Sequence, residues 1–356
     1  MAMKIVQVIP QFTVGGAEIM CEELTYALRA AGHTVVVASL YDGRSPITER
    51  LEAAGVDIRY LGKRRGPDPF ALHRLCKLLR QERPDAVHSH LYASEYAVPA
   101  AVLAGVRCRV HTLHSIAKKE NGRVGRLLNR AFFHFFGLVP VALSDLVRDT
   151  VVEEYHLKPE KVPVVLNGID LSRCCEKQDY DRGAPFVFLH IGRFVPVKNQ
   201  MGLLRAFAAF RARYGAGELW LIGDGELRSS AEEYVAENGL QDCVRFLGIQ
   251  ENVSEFLHRA DVFVLPSLYE GVPMTLIEAM GSALPIVATA VGGVPNMLDE
   301  GCALLIPPTD AAIEHALGQY YEEEPLRRAH GRAALARAPR FSAAAMAQRY
   351  EEVYRS

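Results

Sequence analysis

Two patterns of apolar residues alternate along this chain. Short runs of consecutive apolar, β-branched-rich residues alternate with longer segments in which apolar residues return every three or four positions. The runs predict strands buried on both faces, and the longer segments predict amphipathic helices. In the first half the predicted strands are 4–10, 33–40, 57–61, 85–90, 107–112, 139–143 and 162–166, and the predicted helices are 17–30, 70–81, 92–104, 123–136 and 145–155. From 173 to 184 the pattern lapses into polar, charged sequence that reads as a linker. The alternation then restarts. Strands are predicted at 186–191, 218–222, 244–246, 262–265, 286–289 and 303–306, and helices at 199–213, 227–238, 253–258, 273–280, 311–321, 325–336 and 342–354. Strands alternating with helices predict a parallel sheet covered on both faces. Two such series predict an α/β protein of two doubly wound, Rossmann-like domains, divided here as 1–170 and 171–341.

A length of 356 residues agrees with two domains. A composition of 49% hydrophobic and 23% charged residues is ordinary for a globular protein, and a net charge of -2 gives no global attraction to nucleic acid. The seven cysteines are scattered and form no C-x-x-C, which argues against a disulfide framework or a zinc site and for reduced thiols. The apolar part of the N-terminus is too short for a signal peptide, and no run reaches the roughly 18 apolar residues of a spanning helix. The expected location is cytoplasmic, with the inner face of the membrane also open.

Ligands of open parallel sheets bind at the carboxyl ends of the strands, so the residues that follow each strand carry the functional reading. After 262–265 comes PSLYEGVPMTLIEAM. Pro273 suits the first turn of a helix, which places Glu270 on the loop and Glu278 about a turn and a half into the helix. The N–H groups of Met274, Thr275 and Leu276 are expected to be free and to form an anion site at the helix start. Carboxylates flanking such a site suggest a ligand with a phosphate group and hydroxyls, as in a sugar nucleotide. After 186–191 come Arg193 and Lys198, a fixed guanidinium and a mobile ammonium suited to a diphosphate. Gly223 opens the turn after 218–222, and Gly15 and Gly16 follow the first strand, where backbone can approach a phosphate or sugar. His114 stands at the mouth of the strand containing His111, free to face a ligand, whereas His111 belongs to the core. His88 and His90 share the strand-end position, with an acceptor contact and a structural role both open.

Glu270 and Glu278 within PSLYEGVPMTLIEAM, the following GSALPIVATAVGGVP, GRFVPVKNQ, IGDGE, HTLHS and the Asn167-Gly168-Ile169-Asp170 segment together resemble the retaining GT-B glycosyltransferases of glycosyltransferase family four, across essentially the whole chain. The resemblance implies a GT-B fold, with two Rossmann-like domains facing across a cleft and the last helix, 342–356, joining the first, acceptor-binding domain. It implies that Glu278 binds the ribose hydroxyls, that Arg193, Lys198 and the amides of Thr275 and Leu276 hold the diphosphate, that Glu270 orients the donor sugar, and that His114 lines the reacting face. It also implies that the Gly15–Gly16 loop meets the donor phosphates. The chemistry implied is transfer of a hexose or N-acetylhexosamine from a UDP-sugar, or next a GDP-sugar, to a glycan or lipid-linked acceptor in bacterial surface polysaccharide assembly. No metal or other cofactor is implied. One departure is Asn296, where family members often carry Glu after GGVP. A sugar-nucleotide epimerase of the same fold and a catalytically silent sugar-nucleotide-binding subunit are the alternatives.

Asp179-Tyr180-Asp181 has the D-x-D spacing of metal-dependent transferases but precedes a strand, so it reads as solvated. Lys118, Lys119, Arg123, Arg126 and Arg130 beside Phe132, Phe133, Phe135 and Phe136 make a basic, aromatic-ended helix. That helix either rests on an anionic membrane or packs its aromatics into the first domain.

Overall fold

The apolar runs of the first half become six parallel strands: β1 (Lys4–Ile9), β2 (Thr34–Ser39), β3 (Asp57–Tyr60), β4 (Ala86–His90), β5 (Cys108–Leu113) and β6 (Leu138–Ala142), in the order β3-β2-β1-β4-β5-β6. Those of the second half become β7 (Val187–Ile191), β8 (Glu218–Ile222), β9 (Val244–Gly248), β10 (Val262–Leu265), β11 (Ile286–Thr289) and β12 (Leu304–Ile306), in the order β12-β11-β10-β7-β8-β9. Counted from the first strand of each sheet, both read 3-2-1-4-5-6, the Rossmann order. The computed structural model describes every residue except Val14, Arg182, Gly183 and Glu251. Val14 belongs to the loop after β1, and Arg182 and Gly183 to the predicted linker; that part of each reading lies outside the described residues.

The chain divides into two units, Met1–Ile169 with Ser342–Ser356, and Asp170–Phe341. In the first, Val6, Val8, Val36 and Val87 pack beneath Leu75, Leu79, Ala97 and Ala101 of the covering helices. Local chemistry starts those helices. The Asp68 carboxylate accepts from the N–H groups of Phe70 and Ala71 before Pro69–Glu82, and Ser144 Oγ accepts from Val147 N–H before Asp145–Tyr155. The predicted strand at 162–166 does not form. Only Val164 bridges to Ala142. Pro163 has no N–H to donate, so the chain touches the sheet edge and leaves it. The last helix, Ala343–Arg355, returns to this unit. Ala343 N–H donates to Ile169 O at 2.7 Å, and Tyr354 OH lies 2.8 Å from His88 Nδ1.

The second unit has an aromatic core in which Phe188 meets Phe186 and Phe210 edge-on, each with ring centroids 5.1 Å apart. The polar stretch after 173 is not a loose linker. Lys177 Nζ is 3.2 Å from Asp261 Oδ1, and Tyr180 is buried, donating its hydroxyl to Ala283 O and accepting at its carbonyl from Arg327. An aromatic anchor and a fixed ion pair strap this stretch to the second unit, which its polar composition conceals. Asp179 and Asp181 on either side of Tyr180 are exposed.

Candidate active site

In the second sheet the chain order reverses between β7 and β10, the switch point at which open α/β sheets bind ligands beyond the strands' carboxyl ends. The loops leaving these two strands are joined three times. Asn199 Nδ2 donates to Pro266 O at 3.1 Å, Leu268 N–H donates to Val197 O at 2.8 Å, and Lys198 Nζ lies 2.7 Å from Glu270 Oε1. Asn199 takes a left-handed backbone (φ 54°), a conformation its short amide side chain tolerates.

Glu270 is buried at the centre of this joint. Its Oε1 also accepts from Ser267 Oγ at 2.6 Å, and the carbonyl of Ser267 accepts from Thr289 Oγ1. Among the described residues, both hydrogen bonds to the carboxylate fall on Oε1. Gly293 N–H donates to Glu270 O at 3.0 Å. Its neighbour Gly292 has φ +56°, and a Cβ there would stand 1.9 Å from the same carbonyl, so only glycine allows the segment after β11 to press against this loop.

Behind the loop a neutral histidine sets the backbone of Arg193. His190 Nδ1 bonds to Val264 O at 2.9 Å, which requires a proton on Nδ1. Its Nε2 then accepts from Gln200 Nε2 at 3.3 Å, and the same amide donates to Arg193 O at 2.9 Å. Burial pushes the His190 pKa down to about 4, which keeps the ring neutral and this chain of bonds intact. The Arg193 side chain is exposed and has no carboxylate partner among the described residues. Gly223 (φ +129°) brings the β8 loop against the backbone before it; a Cβ there would stand 2.1 Å from Gly192 O.

The helix Met274–Gly281 begins at Pro273 beside Glu270. Here the sequence expectation needs correction. Leu276 N–H is spent on Pro273 O at 3.1 Å, because the first turn is tightened, so the amides left to a ligand are those of Met274 and Thr275. Glu278 is half-buried on this helix and close to Cys174, whose thiol is pushed up to about 11, first by burial and then by the Glu278 charge. The structure therefore brings Arg193, Lys198, Gly223, Glu270, Met274, Thr275 and Glu278 to one edge of one sheet. It adds one relationship that the sequence reading did not include: Lys198 is ion-paired with Glu270.

In the first unit, Gly15 precedes the helix Gly16–Ala30 with an extended backbone, and among the described residues nothing lies within 4 Å of where a Gly16 Cβ would stand. His114 leaves β5 partly buried. Its Nε2 is 3.2 Å from His90 Nδ1, and His90 Nε2 is 2.9 Å from Gln7 Oε1. The Gln7 amide donates to Thr25 Oγ1, so its oxygen must accept, which assigns Nε2–H to His90 and then Nε2–H to His114. Burial, helped by His111, pushes His114 down to about 3, so the imidazole is neutral and Nδ1 carries its lone pair. His88 and His90 are wholly buried and bonded at both ring nitrogens, His88 to Tyr354 and Thr112. The acceptor contact left open for them is therefore closed. His111 is a core residue held by Ser89. A residue the sequence reading missed is Glu120, whose Oε1 accepts from His114 N–H at 3.1 Å; burial pushes it up to about 7.

The profile described as Glycosyltransferase Family 4 matches residues 14–173, and the profile described as Glycosyl transferases group 1 matches 185–323. The chain belongs to the family-four, group 1 glycosyltransferases. Within that family it is similar to a UDP-Gal:α-D-GlcNAc-diphosphoundecaprenol α-1,3-galactosyltransferase of Escherichia coli, 30% identical over 64% of this chain and 63% of the relative, so less than two thirds of the relative's length is spanned. It is also similar to an N-acetyl-α-D-glucosaminyl L-malate synthase of Bacillus anthracis, 27% identical over 96% of this chain and 94% of the relative. The crystal structure of Anabaena HepE in complex with UDP superposes with a TM-score of 0.84 at 20% identity, covering 98% of this chain and 99% of HepE. That likeness establishes the GT-B fold for this family member.

Proposed function

We propose that the protein is a retaining glycosyltransferase that moves a hexose or N-acetylhexosamine from a nucleotide-diphosphate sugar, preferably a UDP-sugar, to a glycan or lipid-linked acceptor of bacterial surface polysaccharide. The observation that carries this reading is the joint at the β7–β10 switch point, where Lys198 meets Glu270 while Arg193 stays exposed and unpaired with any described carboxylate. The relatives named for UDP-galactose and for complexes with UDP support the choice of donor.

In this reading Glu278 accepts from the ribose hydroxyls, and Arg193, Lys198 and the Met274 and Thr275 amides hold the diphosphate. Glu270, with Oε1 engaged by Lys198 and Ser267, turns Oε2 to the sugar hydroxyls. The acceptor oxygen bonds to the anomeric carbon on the face from which the diphosphate leaves, the bond between that carbon and the phosphate oxygen breaks, and the leaving phosphate takes the acceptor proton. The products are the new glycoside and the nucleoside diphosphate. The developing charge is met by Arg193, Lys198 and the helix start, so the reading requires no metal ion. Neutral His114 lines the reacting face, and the acceptor is presented at an anionic membrane face.

A thermal-shift panel of UDP, GDP and ADP and their common sugars, with magnesium and with EDTA, tests this. Stabilisation by the UDP series, equal in both, is expected. Glu278→Ala should abolish the shift, and Arg193→Ala should chiefly lower turnover. A folded protein that none of the nucleotides stabilises, or wild-type rates in both variants, overturns the site; turnover of donor with no acceptor assigns an epimerase instead.

A further inference from the structure

The helix Arg123–Phe135 has two faces that differ in kind. The inward face carries Gly125, Asn129, Phe132 and Phe133, all buried. Asn129 accepts from Ser94 Oγ at 2.9 Å, the Phe133 ring meets Tyr155 edge-on at 5.0 Å, and a Cβ on Gly125 would stand 2.9 Å from Glu95 Oε1. The helix is therefore firmly seated, and its outward face is not a core surface left loose.

The outward face is apolar and basic. Val124 is 73% exposed, Leu127 70% and Phe135 82%, and Leu128 and Phe136 are exposed beside them. Five of the fourteen large apolar side chains exposed among the described residues fall between 124 and 136, under a twentieth of the chain. A ridge of that size on a soluble surface marks an interaction site. The helix contains no Asp or Glu, and Arg123 and Arg130 lie exposed along it, with Lys118 and Lys119 exposed before it. Of the five cations singled out in the sequence, Arg126 is half-buried. It turns inward to Glu154 at 2.9 Å and to the carbonyls of Lys118 and Asn121. The nearest preceding carboxylate, Glu120, is turned to the His114 amide.

We infer that this face docks on an anionic lipid surface, with Val124, Leu127 and Phe135 entering the acyl boundary and Arg123, Arg130, Lys118 and Lys119 engaging the headgroups. The commitment to lipid rests on charge complementarity. An exposed apolar ridge flanked by cations, on a helix with no carboxylate of its own, is the composition that a negatively charged, laterally fluid surface accommodates. At 13 residues the helix is shorter than the roughly 20 that a spanning helix needs, so the docked helix lies in the interface plane. Its first residue follows the loop that carries His114 and Glu120, so docking holds the β5 end of the first sheet near the headgroup level. The docking stands by itself; its purpose, delivery of a lipid-linked acceptor to that loop, rests on the proposed function.

The test is flotation of the full chain with vesicles of phosphatidylcholine alone and of phosphatidylcholine with phosphatidylglycerol. Binding to the anionic vesicles only is expected. Leu127→Ser/Phe135→Ser and Arg123→Ser/Arg130→Ser should each weaken it at least tenfold, and Phe70→Ser, at an exposed apolar residue elsewhere in the same unit, should leave it unchanged. Unaltered thermal shifts with UDP show that the variants are folded and separate a failure of docking from a failure of the donor site. Absence of binding to anionic vesicles overturns the inference, as does binding that neither double variant changes. So does a dimer in light scattering that Leu127→Ser/Phe135→Ser dissociates while lipid binding is absent, which assigns the face to a second copy.

Discussion

Lys198 Nζ stands 2.7 Å from Glu270 Oε1, the charged one of the three contacts that tie the loop leaving β7 to the loop leaving β10. Glu270 is buried and shares the same oxygen with Ser267, so the ammonium balances a charge that water reaches poorly. The pair is thus both a brace for the switch point and part of the surface a donor would meet.

Removing one partner leaves the other charge unbalanced. Lys198→Met should cost about 1–3 kcal/mol of stability, below the range for fully buried pairs because the lysine is partly exposed. Glu270→Gln should cost less, since the amide oxygen can still accept from Ser267 and Lys198. In a urea-denaturation cycle the double variant should be less destabilised than the sum of the singles by at least 0.5 kcal/mol, in the manner of contacting residues. Strict additivity would show that the contact does not couple the loops.

Two glycines separate space from function. Gly292→Ala places a methyl about 1.9 Å from Glu270 O at φ +56°, so the loop must move. A loss of more than about 2 kcal/mol and loss of the UDP thermal shift are expected. Gly16→Ala meets nothing within 4 Å among the described residues and should be neutral or slightly stabilising to the fold, because it reduces the freedom of the unfolded chain. Donor affinity should nevertheless fall, if that loop approaches the phosphates. A Gly16→Ala enzyme with wild-type donor KM removes Gly16 from the donor contacts.

The sheets are legible in the sequence because a strand buried on both faces reads as an uninterrupted apolar run, as at Ile5–Val6 and Phe263–Val264. Helix Pro46–Ala53 escapes the pattern because only Ile47 and Leu51 supply large apolar contacts in eight residues, although its Ser45–Thr48 capping box is written in the chain. Arg193, Lys198, Glu270 and Glu278 are legible as chemistry-bearing residues after strands. What supports them is not. Ser267, Thr289, Gln200 and Gly292 matter only through tertiary approach, and Glu120 sits in a charged run that reads as surface until its carboxylate is seen at the His114 amide.

Buried neutral histidines should make both units acid-labile. His111 in the first unit and His190 in the second are held near pKa 4, and His114 near 3, chiefly by burial. Above pH 6.5 neither the folded nor the unfolded chain binds these protons. As pH falls below 6.5 the unfolded chain binds them and the folded chain does not, so stability is lost, by about 1.4 kcal/mol per pH unit for each group once past the unfolded value. Urea midpoints should fall between pH 7 and pH 5, before ordinary carboxylates titrate. A flat profile over that window would show that the rings are protonated in the fold.

Glu120 works in the opposite direction. Burial pushes its carboxyl up to about 7 against the bond from the His114 amide, so the fold keeps a proton that the unfolded chain gives up near 4.5. Below 4.5 both states are protonated and there is no penalty. From 4.5 to about 7 the unfolded chain ionises first and stability falls, and the cost is complete above 7. Partial exposure of the side chain brings it to about 1–2 kcal/mol. One such group does not cancel three histidines between pH 7 and 5, so it is read by difference. Glu120→Gln keeps an accepting oxygen for the His114 amide and removes the titration. Its melting temperature should match the wild type at pH 4.5 and exceed it increasingly up to pH 7.5. Ionisation of Glu120 charges the loop that carries His114, so the wild-type rate should also break near pH 7, and that break should be missing in the variant. A constant difference in melting temperature across the range would mean that the carboxylate is already ionised in the fold and that the loop is not held by a neutral acid.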